Sequence, residues 1–181
     1  MKKTVLVAVA TMLLAGTSYA AMEKTVGGAP MYSNKTIVAN ASQSKDHTTL
    51  VAAVKAAGLV DTLNGQGPFT VFAPTNAAFD ALPKGTVDTL LKPENKGQLT
   101  KVLTYHVLPG RIDAKDLAAG IRKGGGKAVL KTVAGEPLTF MEQGGRIMVA
   151  DQAGNRADVT IADVTQSNGV VHVVDKVLLP K

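Results

Sequence analysis

The chain has 181 residues, of which 45% are hydrophobic and 4% aromatic, and it contains no cysteine. The lack of cysteine excludes disulfide bonds and thiolate metal sites, so the fold must depend on packing. The formal net charge of +6 favours an anionic partner, but the scarcity of aromatic rings argues against nucleic acid, whose bases stack on such rings.

The first 20 residues have the three parts of a secretory signal peptide. Lys2 and Lys3 begin the chain, an apolar run follows, and Ser18 and Ala20 place small residues at a cleavage site. We therefore predict cleavage after Ala20 and a secreted protein, either periplasmic or extracellular. No later segment reaches the roughly 18 apolar residues that a membrane-spanning helix needs, so no membrane span is expected.

Residues 21–35 follow the predicted cleavage site and contain Gly, Pro, Ser and Asn without periodicity, a pattern typical of a flexible leader. The clearest helix comes next, over residues 47–65. Apolar side chains recur at helical spacing from Leu50 to Leu59, Thr48 can cap the start, and Asn64-Gly65 is a stop signal.

The pattern then predicts a buried strand and three helices, at residues 67–75, 76–82, 86–92 and 97–110. The last of these helices ends at Pro109-Gly110, because proline and glycine do not continue a helix. His106 lies on its apolar stripe together with Leu99 and Leu103. The pattern therefore predicts a histidine that faces the core.

From Lys127 onward the periodicity changes to that of β-strands. Short turns separate five strand-like segments, at residues 127–133, 137–142, 146–151, 157–164 and 169–179. Strands at such short, regular spacing favour an antiparallel sandwich or barrel. Helices first and strands last predict a single α+β domain over residues 36–181.

One segment carries the positive charge that remains after export. Removal of Lys2 and Lys3 leaves 18 basic and 14 acidic residues, a net charge of +4. Residues 111–131 contain two acidic residues and six basic ones, which are Arg111, Lys115, Arg122, Lys123, Lys127 and Lys131. This basic segment accounts for the whole excess, and it is either a solvated surface or a patch for an acidic polysaccharide or another anionic surface.

The sequence has no motif for catalysis or metal binding. "RKGGGKAV" lacks the first glycine and the final Ser or Thr of a P-loop, and no Gly-x-Ser-x-Gly elbow occurs. The three histidines have none of the short spacings typical of zinc ligands. We therefore expect a protein that is not an enzyme and has no metal and no cofactor; a histidine-dependent hydrolase would need two histidines in one cleft.

His106 and His172 both lie in apolar segments. A neutral imidazole carries one donor and one acceptor, and buried groups of this kind are nearly always hydrogen-bonded. We interpret both as structural histidines whose burial favours the neutral form.

Three stretches resemble the signature segments of the fasciclin domain family, at residues 67–82 ("GPFTVFAPTNAAFDAL"), 102–110 ("VLTYHVLPG") and 168–180 ("NGVVHVVDKVLLP"). Their order and separations also agree, and the resemblance covers residues 36–180. It implies an α+β fold in which an antiparallel β-sandwich or wedge has helices packed beside it. It also implies a secreted or surface-attached binding module for cell adhesion.

The resemblance further implies candidate partner-binding residues. Adhesive roles in animal members are assigned to a Tyr-His pair, matched here by Tyr105 and His106, and to a motif before the last strand. That motif is Glu-Pro-Asp-Ile-Met and aligns with residues 161–165, where Asp163 matches and Val164 is a conservative change. Tyr105, His106, Asp163 and Val164 are therefore the candidates.

Two functional hypotheses follow. The first is an exported binding module for a cell-surface or matrix macromolecule, either protein or polysaccharide, with contact through exposed loops and the basic segment. The second is a carrier for an apolar small molecule such as a pigment or lipid, since some fasciclin relatives bind such ligands. Phe140, Met141 and Met148 could then line a pliable cavity.

Overall fold

A computed structural model describes residues 23–181 of the chain. The predicted signal peptide, residues 1–20, lies outside the described residues. Seven α-helices occur within the described part: α1 (Ile37–Ala41), α2 (Thr48–Ala57), α3 (Val60–Asn64), α4 (Asn76–Asp80), α5 (Thr86–Leu90), α6 (Lys96–Tyr105) and α7 (Ala114–Lys123). None of them is long and apolar enough to cross a membrane.

Nine β-strands are found in the same residues: β1 (Thr25–Val26), β2 (Ala29–Pro30), β3 (Phe69–Pro74), β4 (Val107–Pro109), β5 (Lys127–Lys131), β6 (Pro137–Gln143), β7 (Arg146–Ala150), β8 (Arg156–Gln166) and β9 (Gly169–Val174). β1 and β2 form a small hairpin, and the other seven form one sheet in the order β4-β3-β9-β8-β7-β6-β5. Every neighbouring pair in that sheet is antiparallel except β3 and β9, which run parallel. The α+β prediction is confirmed.

Strand β3 separates two hydrophobic cores because both of its faces are buried. Val71 and Ala73 point to a core formed with the helices α1 to α6. Phe72, between them, points to a second core that contains Phe140 and Leu117. Alternate side chains of a strand point to opposite faces, so one strand can serve two cores. Helices α1 to α6 therefore pack on one side of β3. Helix α7 and strands β5 to β8 pack on the other side.

Two predicted helices have different bounds in the structure: one is divided, and the other ends early. The helix predicted over residues 47–65 is divided into α2 and α3 at Gly58, whose φ of 71° is left-handed. The helix predicted to reach Pro109-Gly110 ends at Tyr105, because Val107 to Pro109 pair with β3 as the edge strand β4. His106 is thus the residue after the last helical turn.

Helix α7 is not among the elements predicted from the sequence above, and it occupies half of the basic segment. Its two buried side chains, Leu117 and Ile121, are four residues apart and face the second core. The carboxylate of Asp116 accepts a hydrogen bond from the backbone N–H of Asp113 and so supports the first turn. Charged residues opposite an apolar stripe are typical of an amphipathic helix, so the spacing of Leu117 and Ile121 is a signal from which α7 could have been predicted.

The described part of the predicted flexible leader is packed on the domain. Val26 and Met31 are 4% and 5% exposed and contact Val164 and Val173 of the sheet. Gly27 lies so close to residues 44–46 that an added Cβ would be 2.3 Å from Ser44 Oγ. From Thr25 onward this segment therefore forms a hairpin against the sheet, unlike the flexible chain expected from its composition.

Candidate functional site

Tyr105 and His106 lie at the junction of α6 and β4, and both side chains are buried. Tyr105 is 0% exposed, and its hydroxyl donates a hydrogen bond of 3.1 Å to the carbonyl of Pro137. Burial raises the pKa of Tyr105 to about 12, and the nearby carboxylates of Asp151 and Glu136 add to this rise. Tyr105 therefore stays a neutral core side chain that ties α6 to β6.

Both ring nitrogens of His106 are bonded to the backbone. The N–H of Leu178 donates to Nε2 at 3.0 Å, so Nε2 is the acceptor and Nδ1 donates to the carbonyl of Val102 at 2.8 Å. Burial lowers the pKa of His106 to about 4, against a smaller opposing effect of the Val102 carbonyl. The ring is held neutral and joins α6 to the C-terminal segment.

The surface-contact role that the family resemblance implies for Tyr105 and His106 therefore needs correction in this structure. Both side chains lie in the core, 0% and 3% exposed, and a partner at the surface would not contact them. Their rings form an edge-to-face pair with centroids 6.5 Å apart. The pair packs in the core, where α6, β4 and β6 meet.

His172, in the middle of β9, is also bonded at both nitrogens. The backbone N–H of Asp163 donates to Nδ1 at 3.2 Å, and Nε2 donates to the carbonyl of Ile112 at 2.9 Å. The side chain is 0% exposed, and burial lowers its pKa. His172 thereby links β9 to β8 and to the loop before α7.

Asp163, a partner-binding candidate from the sequence, lies at an irregularity in β8. The pairing of β8 with β9 shifts register between Ile161 and Val164, and Asp163 has a left-handed φ of 56° there. Its carboxylate accepts a hydrogen bond of 2.7 Å from the N–H of Ala114, the first residue of α7. Asp163 is half-buried, and its carboxylate is already directed at the helix start.

Val164, the other candidate in this motif, faces the core and is 1% exposed. It packs against Val26 and Met31 of the N-terminal hairpin, and the amine of Lys24 is hydrogen-bonded to the carbonyl of Ala162. The hairpin thus covers the strand segment that corresponds to the animal motif. Direct contact of a partner with Val164 is blocked in this arrangement.

The third histidine, His47, is 3% exposed and shares no hydrogen-bond partner with His106 or His172. Its Nδ1 is 2.9 Å from the hydroxyl of Ser44, and burial lowers its pKa. Each of the three imidazoles is thus held by different partners in a different part of the fold. His47 and His106 line two different small cavities beside the helices.

The six cations of the basic segment are all exposed. Arg122 and Lys123 occupy the last turn of α7, where positive charge also favours the helix dipole. Lys127 and Lys131 begin and end β5, which is an edge strand of the sheet. Arg111 stands apart: it follows β4 and forms an ion pair of 3.5 Å with Asp113.

The cavity suggested for an apolar ligand does not form from the residues expected. Phe140 is 0% exposed in the second core, paired across the sheet with Val149, whereas Met141 and its partner Met148 point to the opposite face. Two apolar cavities beside the helices have volumes of about 30 Å³ each. Such a volume holds one or two water molecules, far less than a pigment or lipid.

A larger groove lies where the sequence pattern predicts no site. The loop of residues 64–68 and the turn of residues 167–169 form its walls, with Thr36 and Arg111 at the sides, and its volume is about 420 Å³. The only sequence signal is that both segments contain glycine, asparagine and other turn-forming residues. Such signals predict turns, and they do not show that two turns meet.

Comparisons with known proteins agree with the sequence resemblance. Residues 45–180 match the Fasciclin domain model. Protein sll1483 of Synechocystis is 52% identical over 145 residues, which cover 80% of this chain and 73% of that protein. The cell surface glycolipoprotein MPB83 of Mycobacterium bovis is 39% identical over 122 residues, which cover 67% of this chain and 48% of that protein.

A solved structure shows the same fold. A pair of FAS1 domains from the insect cell adhesion molecule Fasciclin I superposes with a TM-score of 0.72 at 20% identity. The match covers 80% of this chain and 51% of the insect chain. The tertiary arrangement is therefore shared even where most side chains differ.

Proposed function

Because this chain belongs to the fasciclin domain family, we propose that it is an exported binding module that makes adhesive or surface contacts. Its partner is a macromolecule of a cell surface or matrix, either a protein or a polysaccharide. The observation that carries the proposal is the family match over residues 45–180. The similarity to a mycobacterial cell surface glycolipoprotein and to an insect cell adhesion molecule supports the same setting.

Binding, and not catalysis, is the activity that the site chemistry supports. General acid–base catalysis needs a titratable group that can exchange a proton with a substrate. In His106 and His172 both ring nitrogens are bonded to backbone groups, and burial lowers the pKa of each. These groups support the fold and leave the exposed surface to make contacts.

The contact surface in this proposal is the exposed basic segment. Tyr105, His106 and Val164 are buried, whereas the cations at the end of α7 and along β5 are exposed. Lys123 and Lys127 are separated only by three glycines, so they project from one turn. A positive surface of this kind attracts acidic polysaccharide or another anionic surface, and salt weakens the attraction.

The experiment measures binding of the purified protein to envelope material of its own host at low and at physiological salt. The double variant Lys123→Gln/Lys127→Gln should bind severalfold more weakly, and its binding should depend less on salt. The matched control, Lys84→Gln/Lys92→Gln, removes the same charge at exposed positions elsewhere and should bind like the parent. No saturable binding of the parent protein would contradict the proposal.

Native mass spectrometry of the protein from its host's envelope and medium tests the second hypothesis. A bare polypeptide mass agrees with a binding module for macromolecules. A reproducible extra mass that is lost on denaturation would instead support the carriage of a small molecule.

A further inference from the structure

The groove between residues 64–68 and 167–169 has the size of a small-molecule site. Its volume of about 420 Å³ falls in the range of roughly 300–1,000 Å³ that is usual for ligand pockets. It lies at the end of the sheet where β3 begins and where β8 turns into β9. It is separate from the basic turn at Lys123 and from the buried Tyr105–His106 pair.

Asn168 holds the walls of the groove together. Its side-chain oxygen accepts from the N–H of Ile37 at 3.1 Å, and its amide donates to the carbonyls of Leu63 and Gly65 at 2.6 and 3.3 Å. Its own carbonyl accepts from the N–H of Phe69 at 3.0 Å. Four segments thus meet at one residue, and a ligand would enter a groove that is already formed, which reduces the entropy lost on binding.

Arg111 is fixed at the side of the groove by its neighbours. The hydroxyl of Thr70, a residue that is 0% exposed, donates to the carbonyl of Gly110 at 2.7 Å and accepts from the N–H of Ile112 at 2.9 Å. The backbone is therefore held on both sides of Arg111.

The guanidinium of Arg111 keeps capacity for a ligand. Nη2 donates to the hydroxyl of Thr165 at 3.2 Å, and Nε is 3.5 Å from the carboxylate of Asp113. Within residues 23–181, Nη1 makes no hydrogen bond. A guanidinium held in this way presents a positive charge and free donors, which suit a carboxylate.

The remaining lining combines small polar side chains with glycine and proline. The side chains of Gln66 and Ser167 form no hydrogen bond within the described residues, and Asn64 uses only its oxygen, which accepts from Thr36 at 2.7 Å. Leucine, isoleucine, valine, methionine and aromatic residues do not occur in the lining. Amides and hydroxyls match the hydroxyl groups of a sugar, whereas a peptide side chain would need apolar contacts.

We propose that this groove binds an acidic saccharide, with the sugar carboxylate on the guanidinium of Arg111. The sugar hydroxyls pair with the amides of Asn64 and Gln66 and with the hydroxyl of Ser167. The inference rests on the proposed function, because it assigns a ligand class to the polysaccharide partner. It also separates Arg111 from the other five cations of the basic segment, which only attract anions in general.

The test is an NMR titration of the ¹⁵N-labelled protein with trigalacturonate and, separately, with a neutral trisaccharide. Trigalacturonate should shift the backbone amides of residues 64–67, 111 and 167–169, and the neutral sugar should shift them far less. Arg111→Gln should weaken binding about tenfold, because a charge-assisted hydrogen bond is lost. Arg156→Gln removes the same charge at an exposed position outside both the groove and the basic segment and should bind like the parent.

Two further measurements keep the test decisive. The amide spectrum of Arg111→Gln shows directly whether the variant is folded, and Arg111→Lys retains the charge but loses the planar fork. Intermediate affinity of Arg111→Lys would support recognition by the guanidinium. Equal loss of binding in Arg111→Gln and Arg122→Gln, with shifts confined to residues 122–131, would overturn the groove while supporting contact through the basic segment.

Other outcomes also overturn the inference. Shifts of the groove amides by a short peptide with a free C-terminal carboxylate, but not by trigalacturonate, would assign the groove to a peptide. No shift with any probe would also refute a saccharide groove. The proposed binding function has a separate test. It fails only if the protein does not bind its host's envelope.

Discussion

Phe72 and His172 occupy paired positions on the parallel strands β3 and β9, and their rings stack with centroids 5.3 Å apart and planes 20° apart. The stack explains why an apolar strand contains a histidine. One face of the imidazole packs like an aromatic core side chain, while its two nitrogens bond to Asp163 and Ile112. A purely apolar residue could fill the space, but it would leave those backbone groups unpaired.

His172→Ala should lower the free energy of unfolding by about 2–4 kcal/mol. The change removes the stacked ring and leaves the carbonyl of Ile112 and the N–H of Asp163 without their partner. Urea unfolding monitored by circular dichroism measures the loss. Val129→Ala, at a side chain that is 63% exposed, should stay within about 0.5 kcal/mol; an equally small effect for His172→Ala would mean that the bonds do not matter.

Stability should fall as the pH is lowered from about 6.5 to about 4. The unfolded imidazole of His106 takes up a proton near the ordinary histidine pKa of 6.5, while the folded one resists protonation until the pH approaches its lowered pKa of about 4. Between these values the unfolded state binds more protons, so the free energy of unfolding decreases by about 3 kcal/mol as the pH falls through this window. Above about pH 6.5 the full contribution is present.

Urea titrations at several pH values, with His106→Gln as the comparison, isolate this effect. Burial also lowers the pKa values of His47 and His172, so those rings add a dependence in the same direction. The His106→Gln variant should be less stable at pH 7 and should show a flatter profile. Parallel profiles for the parent and the variant would contradict the assignment to His106.

Asp163→Ala should destabilise the domain by about 1–3 kcal/mol, and Asp163→Asn by less than about 1 kcal/mol. Alanine is disfavoured at the left-handed φ of 56° and cannot accept from the N–H of Ala114. Asparagine tolerates that conformation and keeps an acceptor oxygen. Thermal unfolding separates the two; similar melting temperatures would show that Asp163 is not held by these local demands.

Asn168→Ala should lower the free energy of unfolding by about 2–3 kcal/mol, because the side chain bonds to Ile37, Leu63 and Gly65. Asn168→Asp should be at least as damaging at neutral pH, since a carboxylate can accept from Ile37 but would repel the two carbonyls. Differential scanning calorimetry measures both variants. Ser167→Ala, one residue away, should leave the melting temperature nearly unchanged, and a loss as large as that of Asn168→Ala would point to a general sensitivity of the turn.

Local patterns predict the element types well where one periodicity dominates. The apolar stripe of Leu99 and Leu103 correctly indicates α6, and the alternation after Lys127 correctly indicates strands. The predicted end of α6 is wrong by several residues. Pro109-Gly110 resembles a stop signal, but Val107 and Leu108 gain more from pairing with Val71 and Thr70 than from another helical turn.

The candidate site is harder to predict because it depends on contacts between distant segments. Tyr105 and Val164 are candidate contact residues in the sequence. In the fold, the hydroxyl of Tyr105 bonds to the carbonyl of Pro137, and the N-terminal hairpin packs on Val164. The groove around Asn168 joins residues that are more than 100 positions apart in sequence, such as Asn168 and Leu63. Periodicity carries no information about such a meeting.

The sequence by itself determined the class of fold, the resemblance to a family and the apolar setting of His106 and His172, because these follow from local periodicity and from motifs of adjacent residues. Only the tertiary structure decided the hydrogen-bond partners of each histidine, the burial of Tyr105 and the place of Arg111 beside a groove. The physical reason is that hydrogen bonding and burial are properties of contacts, and a contact exists only after the chain has closed its long loops.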